Sequence, residues 1–579
     1  MSRRNHAKKC GVADGSCGRP LAFLDFPYPR SYLPPMEFHL AQIHEAVAAS
    51  CPDRECLVWR DRRLTYAQVT DRTRRLANYL RSRGLGNARE RSELQGWESG
   101  QDHLALYLFN CNEYIEGMLG AFKARVAPLN VNYRYVEEEL LYLLRNARAR
   151  AVIYHAAMAP TLARVLGQLP DLKVLLQVAD ESGNALLPGA VDYEGALASA
   201  SADKPPQEPS PDDLYILYTG GTTGMPKGVL WRQSDIYFAA LGGTMPGMGE
   251  HESIESVVSM AGGGARALAS PPFMHGAAHW AAFNTMNTGG TVIMQSDVQK
   301  LDPDDIWSTV ERERAQILLI VGDAFARPLL DQLERKTYDL SSLVLLVSGG
   351  AVLNVGLKEK LLDKLPDINI YDGIGSSETG SQAVNMSSKM GGASTGKFLP
   401  QPGNCVLDAD LSRVLEPGSD EIGWFARGGR VPLGYLGDQA KTERTFPTIG
   451  GQRFSVPGDR ARHLADGSIE VLGRDSVTIN SGGEKIFAEE VEQALKHHPA
   501  VYDAVVCGRA SERWGQEVVA IVRLRDGSTC EEKDLLEEAA RHLARYKLPK
   551  CFLFRDEIVR SPSGKADYRW AKAQAEAGA

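Results

Sequence analysis

The sequence has no run of the roughly 18 uninterrupted apolar residues that a membrane-spanning helix needs. Its basic start, Met1–Lys9, is not followed by the apolar stretch of a secretory signal. Cysteine is scarce, with nine scattered residues among 579, so we do not expect a disulfide framework. We also find no internal repeats. These absences predict a cytoplasmic protein without stable membrane insertion.

Positive charge is not in excess either. The chain carries 65 Lys and Arg against 73 Asp and Glu, a net charge of −8. A general nucleic-acid binder needs a basic face or stripe, so we expect no nucleic acid as a partner. Cys10 and Cys17 have no second Cys/His pair nearby with the spacing of a zinc site. We interpret residues 1–35, rich in Gly, Pro and Arg, as a flexible lead-in.

Strand-like and helix-like patterns alternate along most of the chain. For example, His103–Cys111 has the composition of a strand, and Glu113–Ala124 has helical spacing. This alternation predicts α/β layers with largely parallel sheet. Short alternating runs with many glycines, from about Asp408 to Asp475, predict a small β-rich region. A last α/β unit is predicted from about Ser476 to the end.

Three further segments carry local predictions. Residues 86–102 are polar without a clear period and predict a surface loop, and residues 196–212, rich in Pro, Ser and Ala, predict a surface connection. Glu55–Val69 is interpreted as a strand, a turn and the start of a helix. None of these segments indicates a function.

The strongest motif is YILYTGGTTGMPKGV, Tyr215–Val229. Glycines let backbone N–H groups approach a phosphate, while the threonines add hydroxyl donors and Lys227 adds a cation, so the run predicts an anion-binding nest. It is not a G-x-x-x-x-G-K-[ST] loop, because the spacing is wrong and Gly228 replaces the Ser or Thr. Composition alone leaves a flexible Gly/Thr hairpin as the alternative. The candidate phosphate-loop residues are Thr219, Gly220, Gly221, Thr222, Thr223, Gly224 and Lys227.

This run resembles the phosphate-binding signature YTSGTTGxPKG of the adenylate-forming superfamily, which includes acyl-CoA synthetases, luciferases and peptide-synthetase adenylation domains. Gly220 stands where Ser is usual. Further motifs follow in the family's order over roughly residues 40–575: SPPFMHGAAHW (270–280), SGGA (348–351), IYDGIGSSETG (370–380), PGDRARHLADGSIEVLGRDS (457–476), INSGGEKIFAEEVE (479–492) and RSPSGKADY (560–568).

The resemblance implies the family's α/β fold and its division into domains. The expected AMP-binding domain, residues 36–474, has stacked α/β sheet subdomains and a small β-rich region. The expected C-terminal domain, residues 475–579, is a small mobile α+β unit that carries the catalytic lysine. Asp475 and Ser476 would form the hinge.

The resemblance also implies a site for ATP. The glycines of SGGA would let the adenine ring lie against the backbone. Asp372 would accept a hydrogen bond from the adenine amino group, and Asp459 would accept hydrogen bonds from the ribose hydroxyls. Glu378 and Thr219 would hold Mg²⁺, because a hard cation prefers oxygen ligands. The remaining nucleotide-binding candidates are Gly349, Gly350, Ala351, Gly373, Ser377 and Arg474. Three departures bear on nucleotide binding: Ile374 replaces an aromatic residue, and Val456 and Pro457 replace Thr and Gly.

Lys565 matches the family's catalytic lysine, although a lysine considered alone is usually just solvated. Gly482 and Gly483 match the loop that lines the thiol tunnel for coenzyme A. In the family, a carboxylate attacks the α-phosphorus of ATP to give an acyl-adenylate, and a thiol then displaces AMP. The resemblance therefore implies an acid–thiol ligase that forms AMP.

The acid is expected to be apolar. No Asp follows Phe273 to pair with an α-amine, which disfavours an amino acid. His275, Gly276, His279 and Trp280 are the candidate substrate residues, with ordinary core packing as the alternative. Several motifs are similar in sequence to those of actinobacterial fatty-acyl-CoA synthetases, some of which act on sterol side-chain acids. Two alternatives stay open: a ligase that loads a carrier protein, and a nucleotide-binding relative without turnover. Dimers are common in the family, and the sequence does not decide whether this chain forms a homodimer.

Overall fold

The computed structural model describes residues 36–219, 225–245, 249–481, 484–511, 513–560 and 564–578. The predictions for the lead-in, for Gly220, Gly221, Thr222, Thr223 and Gly224, and for Gly482 and Gly483 lie outside the described residues. Among the described residues, no helix is both long and apolar enough to cross a membrane.

The helices follow the amphipathic patterns of the sequence. They are α1 Leu40–Ser50, α2 Tyr66–Ser82, α3 Asn112–Ala124, α4 Glu137–Asn146, α5 Ala159–Leu166, α6 Tyr193–Ala198, α7 Gln233–Ala240, α8 Ile254–Met260, α9 Gly276–Asn287, α10 Pro303–Glu313, α11 Gly322–Arg335, α12 Val355–Lys364, α13 Gln439–Thr445, α14 Ala488–Lys496, α15 Glu532–Ala540 and α16 Tyr568–Ala577.

The strands alternate with these helices in the first two-thirds of the chain and then dominate. They are β1 Glu55–Trp59, β2 Arg62–Thr65, β3 His103–Tyr107, β4 Ala127–Asn130, β5 Ala149–His155, β6 Val174–Val178, β7 Val191–Asp192, β8 Leu214–Thr219, β9 Lys227–Arg232, β10 Thr244–Met245, β11 Gly249–Glu250, β12 Arg266–Ala269, β13 Thr291–Met294, β14 Ile317–Ile320, β15 Leu345–Gly349, β16 Asn369–Ser376, β17 Gly380–Ser388, β18 Lys397–Pro400, β19 Asn404–Leu407, β20 Gly423–Gly428, β21 Gly434–Tyr435, β22 Thr448–Ile449, β23 Gln452–Ser455, β24 Asp459–His463, β25 Ile469–Arg474, β26 Ile479–Ser481, β27 Glu484–Ile486, β28 Val501–Ser511, β29 Gly515–Leu524 and β30 Cys551–Phe554.

Two large sheets form the body of the molecule, residues 36–474. One runs in the order β21-β9-β8-β4-β3-β5-β6-β7 and is parallel from β8 to β7. The other begins β2-β1-β13-β12-β14-β15-β16 and is parallel from β1 to β16. From β16 onward its strands pair antiparallel through β17, β18, β25, β24 and β20. The predictions of largely parallel sheet and of a β-rich region before residue 475 are both confirmed.

Helix α3 lies in the core of the body. Every residue of α3 is buried, and its apolar side chains share one cluster with those of α2, α9 and β8. A helix that is enclosed on all sides must lie between layers rather than on the surface. Helix α3 therefore belongs to the interior of the body rather than to its surface.

The last part of the chain, residues 475–579, is a smaller α+β unit. Its sheet runs β27-β26-β29-β28, with β30 parallel to β29. One apolar cluster joins this sheet to α14 and α15, and a second joins it to α16. This agrees with the predicted fold class.

The sequence interpretation missed strand β2. Arg62–Thr65 pairs antiparallel with β1 after a tight turn at Arg60, whose φ is +53°. The segment is rich in arginine and shows no clean apolar alternation, so it was interpreted as a turn. Residues 86–102 form an irregular surface segment, as predicted, with a short 3-10 turn at Arg91–Glu93.

Candidate active site

Glu378 lies in the tight turn between β16 and β17. The Tyr435 hydroxyl donates to its Oε1 at 2.8 Å, and the Ser455 hydroxyl donates to its backbone carbonyl at 2.6 Å. The Trp231 indole N–H donates to the Ser377 carbonyl at 2.8 Å. Three separate elements therefore hold this turn and orient the carboxylate.

The described ends of the phosphate loop form a hairpin. Thr219 ends β8 and pairs with Lys227, which begins β9. The Lys227 ammonium forms an ion pair with Asp438, which caps the N-terminus of α13. Both side chains are about one-third exposed, so this cation stays within reach of solvent and of a bound anion.

The ribose candidates face each other across a β-hairpin. Asp459 on β24 is paired in register with Arg474 on β25, and the Arg474 Nε donates to Asp459 Oδ1 at 3.2 Å. The adjacent hinge candidate Asp475 accepts from Arg460 at 3.0 Å and begins a 3-10 turn over Asp475–Val477 that contains Ser476.

Lys565 comes from the far end of the chain, and its surface is accessible to solvent. Desolvation by the surrounding protein, and then the positive charge of Arg474, lower the pKa of the Lys565 ammonium to about 8, while Glu378 and Asp459 act in the opposite direction. A charge affects a pKa in this way only at short range. The structure thus places the lysine in the electrostatic environment of three predicted site residues.

Gly564 explains how the chain reaches that position. Its φ is +72°, and an added Cβ would lie 3.0 Å from Ala324 Cβ and 3.3 Å from Val321 Cγ1. Only glycine satisfies both the backbone conformation and the close packing on the start of α11.

His275 lies in the loop before α9 and occupies the N-cap position of that helix. Its Nε2 is shielded from solvent and has no hydrogen-bond partner among the described residues. Burial first, and then the nearby charge of Lys565, lower the pKa of His275 to about 3. A neutral imidazole with an unsatisfied nitrogen is consistent with the predicted position beside the substrate carboxylate.

Of the other substrate candidates, His279 is placed in the core. Its ring nitrogens bond to the Tyr215 hydroxyl and, at 2.7 Å, to the Phe273 carbonyl. Only 1% of its surface is exposed, which favours the packing alternative. Trp280 donates to the same Tyr215 hydroxyl at 2.8 Å. A Cβ added to Gly276 would meet Leu217 at 2.9 Å and Trp280 at 3.2 Å, so this wall is closely packed.

The adenine candidates are adjacent across parallel strands. Gly349 at the end of β15 is in register with Gly373 on β16, and Gly350 follows with φ +86°. Ala351 is the next residue and is half-buried. The glycines leave the backbone at this edge without side chains, and binding of adenine there stays a prediction.

Asp372 already has a partner, the buried Lys358, at 2.8 Å. Burial raises the pKa of Asp372 to about 6, and Lys358 opposes that rise. This ion pair gives the carboxylate a structural partner, and its bond to adenine stays a prediction. Ile374, at the position of the usual aromatic residue, packs on the apolar cluster of the β-rich region.

The sequence analysis missed Tyr435 and Asp438, which hold Glu378 and Lys227 respectively. Neither lies in a recognised motif. Asp438 directly precedes α13, so an N-cap pattern was the available signal. Residues 86–102 pack against the segment that carries Tyr435 and Asp438. The Gly437 backbone N–H donates to the Trp97 carbonyl at 2.8 Å, and a Cβ added to Gly96 would lie 2.6 Å from the Leu433 carbonyl oxygen.

Among the described residues, no group of three or more His, Cys, Asp and Glu could hold a metal ion by itself. The seven described cysteines are free thiols.

Comparison with known proteins agrees with this geometry. Residues 44–424 match the model of the AMP-binding enzyme family, and residues 490–565 match that of the AMP-binding enzyme C-terminal domain. The anthranilate CoA ligase AuaEII with anthranoyl-AMP is 22% identical, with a TM-score of 0.77 over 94% of this chain and 99% of that one. ATP-bound MatB from Rhodopseudomonas palustris is also 22% identical, with a TM-score of 0.75 over 93% and 99%. These two likenesses establish the fold.

Curated relatives are more similar in sequence. The medium-chain acyl-CoA ligase Mig of Mycobacterium avium is 56% identical over 541 residues, covering 93% of this chain and 98% of that protein. The 3-oxocholest-4-en-26-oate–CoA ligase of Rhodococcus rhodochrous is 42% identical over 552 residues, covering 93% and 96%. Since a family model matches more than half of the chain and these relatives match almost its whole length, the protein belongs to the AMP-binding enzyme family.

Proposed function

We propose that this protein is an ATP-dependent acyl-CoA ligase that activates an apolar carboxylic acid. The observation that carries the proposal is the position of Lys565 within the electrostatic influence of Glu378, Asp459 and Arg474. A nucleotide site completed by a lysine from the C-terminal part has the charges that acyl-adenylate formation needs. The relatives, which are acyl-CoA ligases over almost the whole chain, support the same reaction class.

In the first step, the substrate carboxylate attacks the α-phosphorus of ATP, and pyrophosphate leaves. Two anions must approach each other, so positive charge aimed at the phosphate lowers the barrier. Lys565 supplies that charge from the C-terminal part. Asp459 would hold the ribose by accepting from its hydroxyls, and Arg474 orients Asp459. In the second step, the thiol of coenzyme A attacks the acyl carbonyl and AMP leaves.

Mg²⁺ fits the oxygen donors at the site. Glu378 is half-buried and oriented by Tyr435, and Thr219 ends the strand that leads into the phosphate loop. Magnesium is commonly bound by one or two carboxylates together with substrate phosphates, so a larger protein cluster is not required. When bound, Mg²⁺ neutralises phosphate charge.

For the acid, we propose a medium-chain fatty acid, with a steroid side-chain acid as the second candidate. The relative that is 56% identical is named for medium-chain acyl groups, and the one that is 42% identical for a steroid acid. The loop and helix at residues 273–280 present apolar and neutral groups, including a neutral His275. Binding of coenzyme A by Gly482 and Gly483, rotation at Asp475–Ser476, a homodimer and a cytoplasmic location stay predictions.

The test is AMP formation from ATP with a panel of acids: C2, C8, C16, benzoate and a steroid side-chain acid, each with and without coenzyme A. We expect AMP release that requires coenzyme A and is highest with the C8 acid. Acyl-adenylate that forms but is not discharged by coenzyme A would indicate a carrier-protein ligase. Binding of Mg-ATP without any AMP would indicate a relative without turnover, and either result would overturn the proposal.

A further inference from the structure

A chain of buried ion pairs joins the body of the molecule to its C-terminal part. Lys496, in the last turn of α14, lies 3.5 Å from Asp323 Oδ2 at the start of α11 and 3.2 Å from Asp503 Oδ1 on β28. The exposed fractions of the three side chains are 5%, 6% and 12% respectively. Lys496 is thus shared between a carboxylate of the body and one of its own part.

The chain continues to the loop of Lys565. Asp503 accepts two hydrogen bonds from Arg560, each 2.7 Å long, and Arg560 Nη1 donates to the Gly564 carbonyl at 3.0 Å. Burial tends to raise the pKa of Asp503, but Lys496 and Arg560 hold it well below its usual range. A bidentate Arg–carboxylate pair is rigid as well as strong. It therefore fixes the backbone that immediately precedes Lys565.

Asp323 is itself held in place. Its Oδ1 accepts from the Asn354 backbone N–H at 2.8 Å, and Arg327 lies 3.6 Å from its Oδ2. Asn354 also donates through its side chain to Gln493, one turn before Lys496, at 2.7 Å. Two adjacent polar contacts thus cross between the body and α14.

These groups have little access to water. Removing one member of a buried charged network leaves its partner charged and unpaired, which costs far more than the loss of a surface ion pair. A rotation at Asp475–Ser476 would separate Lys496 from Asp323 but would leave Lys496, Asp503 and Arg560 together. The Asp323–Lys496 contact can therefore belong to only one of the two orientations.

We infer that Lys496 is a positioning residue that, through Asp323 on one side and Asp503 and Arg560 on the other, holds Lys565 in the orientation for adenylation. The inference deepens the proposed function and rests on it. It predicts that the Asp323–Lys496 contact favours the first half-reaction over the second, although neither residue touches a reacting group.

The experiment measures the two half-reactions separately, as pyrophosphate release with acid and ATP and as thioester formation from supplied acyl-adenylate. We expect K496M to lower the adenylation rate on the order of tenfold, within the range for coupled contacting residues, and to leave thioester formation unchanged or faster. D323N, which alters a residue of the body only, should likewise slow adenylation and leave thioester formation unchanged or faster. The double variant should be no slower than K496M alone, because each single variant already removes the Asp323–Lys496 contact.

Lys547 provides a matched control. It pairs with Glu490 at 2.6 Å entirely within the C-terminal part, so K547M should leave both rates unchanged. Equal losses in both half-reactions, or full additivity of D323N and K496M, would overturn the inference.

A wild-type protein that forms no acyl-adenylate would instead refute the proposed function. Hydrogen exchange then still tests the contact. Backbone amides of residues 564–568 should exchange faster in K496M than in the wild type or in K547M, and equal exchange would overturn the inference.

Discussion

At the scale of single residues, the site depends on how neighbouring charges set the pKa of Lys565. Desolvation by the surrounding protein and the charge of Arg474 lower the pKa of Lys565, so its ammonium gives up its proton more readily than an ordinary lysine. Glu378 and Asp459 partly restore its charge. The residue is consequently poised close to the pH at which it changes from cation to neutral amine.

The rate of adenylation should therefore depend on pH through Lys565. With a pKa of about 8, the free enzyme carries the cation below that pH and loses it above. We expect kcat/KM for ATP in pyrophosphate release to fall as pH rises from 8 to 9.5, since this parameter reports groups of the free enzyme. The adenylation rate of K565A should be lower by a factor of about 10²–10³, while its rate of thioester formation from supplied acyl-adenylate should be unchanged.

K565R is the matched control for charge. Arginine stays cationic over this range, so its profile should be flat between pH 8 and 9.5, whatever its absolute rate. A wild-type profile that is equally flat would show that the charge of Lys565 does not limit the reaction.

At the scale of elements, the site is assembled at the ends of strands. Gly349 ends β15, Glu378 lies just beyond the end of β16, and Thr219 lies at the end of β8. Asp459 and Arg474 occupy the first and last residues of the β24–β25 hairpin. Such positions are rigid because the sheet fixes the backbone on one side, yet they leave side chains free to face a ligand.

The short turn after β25 is the element on which the predicted rotation depends. Ser476 lies within the 3-10 turn Asp475–Val477, a conformation whose φ proline can adopt. We expect S476P to fold normally but to slow one half-reaction much more than the other, because a fixed φ opposes the change between orientations. The measurement is again the two half-reaction rates.

S476A serves as the control for loss of the hydroxyl and should leave both rates close to those of the wild type. Equal rates of S476P and wild type in both half-reactions would exclude this turn as the hinge.

At the scale of the whole molecule, the contact between the body and the C-terminal part includes a carboxyl oxygen that has no hydrogen-bond partner among the described residues. Glu489 Oε2 is shielded from solvent and has no hydrogen-bond partner among the described residues. It lies so close to Gly473 that an added Cβ there would approach it to 2.4 Å. Burial, then Glu492 and Asp459, raise the pKa of Glu489 from 4.5 to about 8.

This carboxyl should make stability depend on pH. Because its pKa is higher in the folded protein, the folded state binds its proton more tightly, and stability falls as pH rises from 4.5 to about 8. The substitution E489Q removes this loss of stability. The free energy of unfolding of E489Q relative to the wild type should therefore rise by up to about 1.4 kcal/mol per pH unit in that window and then level off. Midpoints of thermal unfolding between pH 5 and 9 give the measurement.

The exposed Glu484, close in sequence, provides the matched variant E484Q, which makes the same change of carboxylate to amide at the surface. A constant difference between E489Q and the wild type over this range would mean that Glu489 is ionised in the folded protein throughout.

Several features followed from sequence because their signals are local. The phosphate loop, the SETG turn and the SGK loop are short runs in which each residue type meets a backbone or charge requirement, so their roles could be predicted one motif at a time. The family and the fold class, which follow from the order of these motifs, are confirmed. Strand β2 escaped prediction because its arginines pair with Glu55, Glu113 and Glu313, which are not its neighbours along the chain.

The sequence by itself determined the family, the class of reaction and the residue types offered to ATP, since these depend on contiguous motifs and on their order. Only the tertiary structure decided which partners those residues have. It assigned Asp372 to Lys358, buried His279 against Tyr215, placed Tyr435 on Glu378, and joined Lys496 to Asp323. The physical reason is that burial and charge pairing are set by residues tens to hundreds of positions apart, which become neighbours only when the sheets and the C-terminal part have packed.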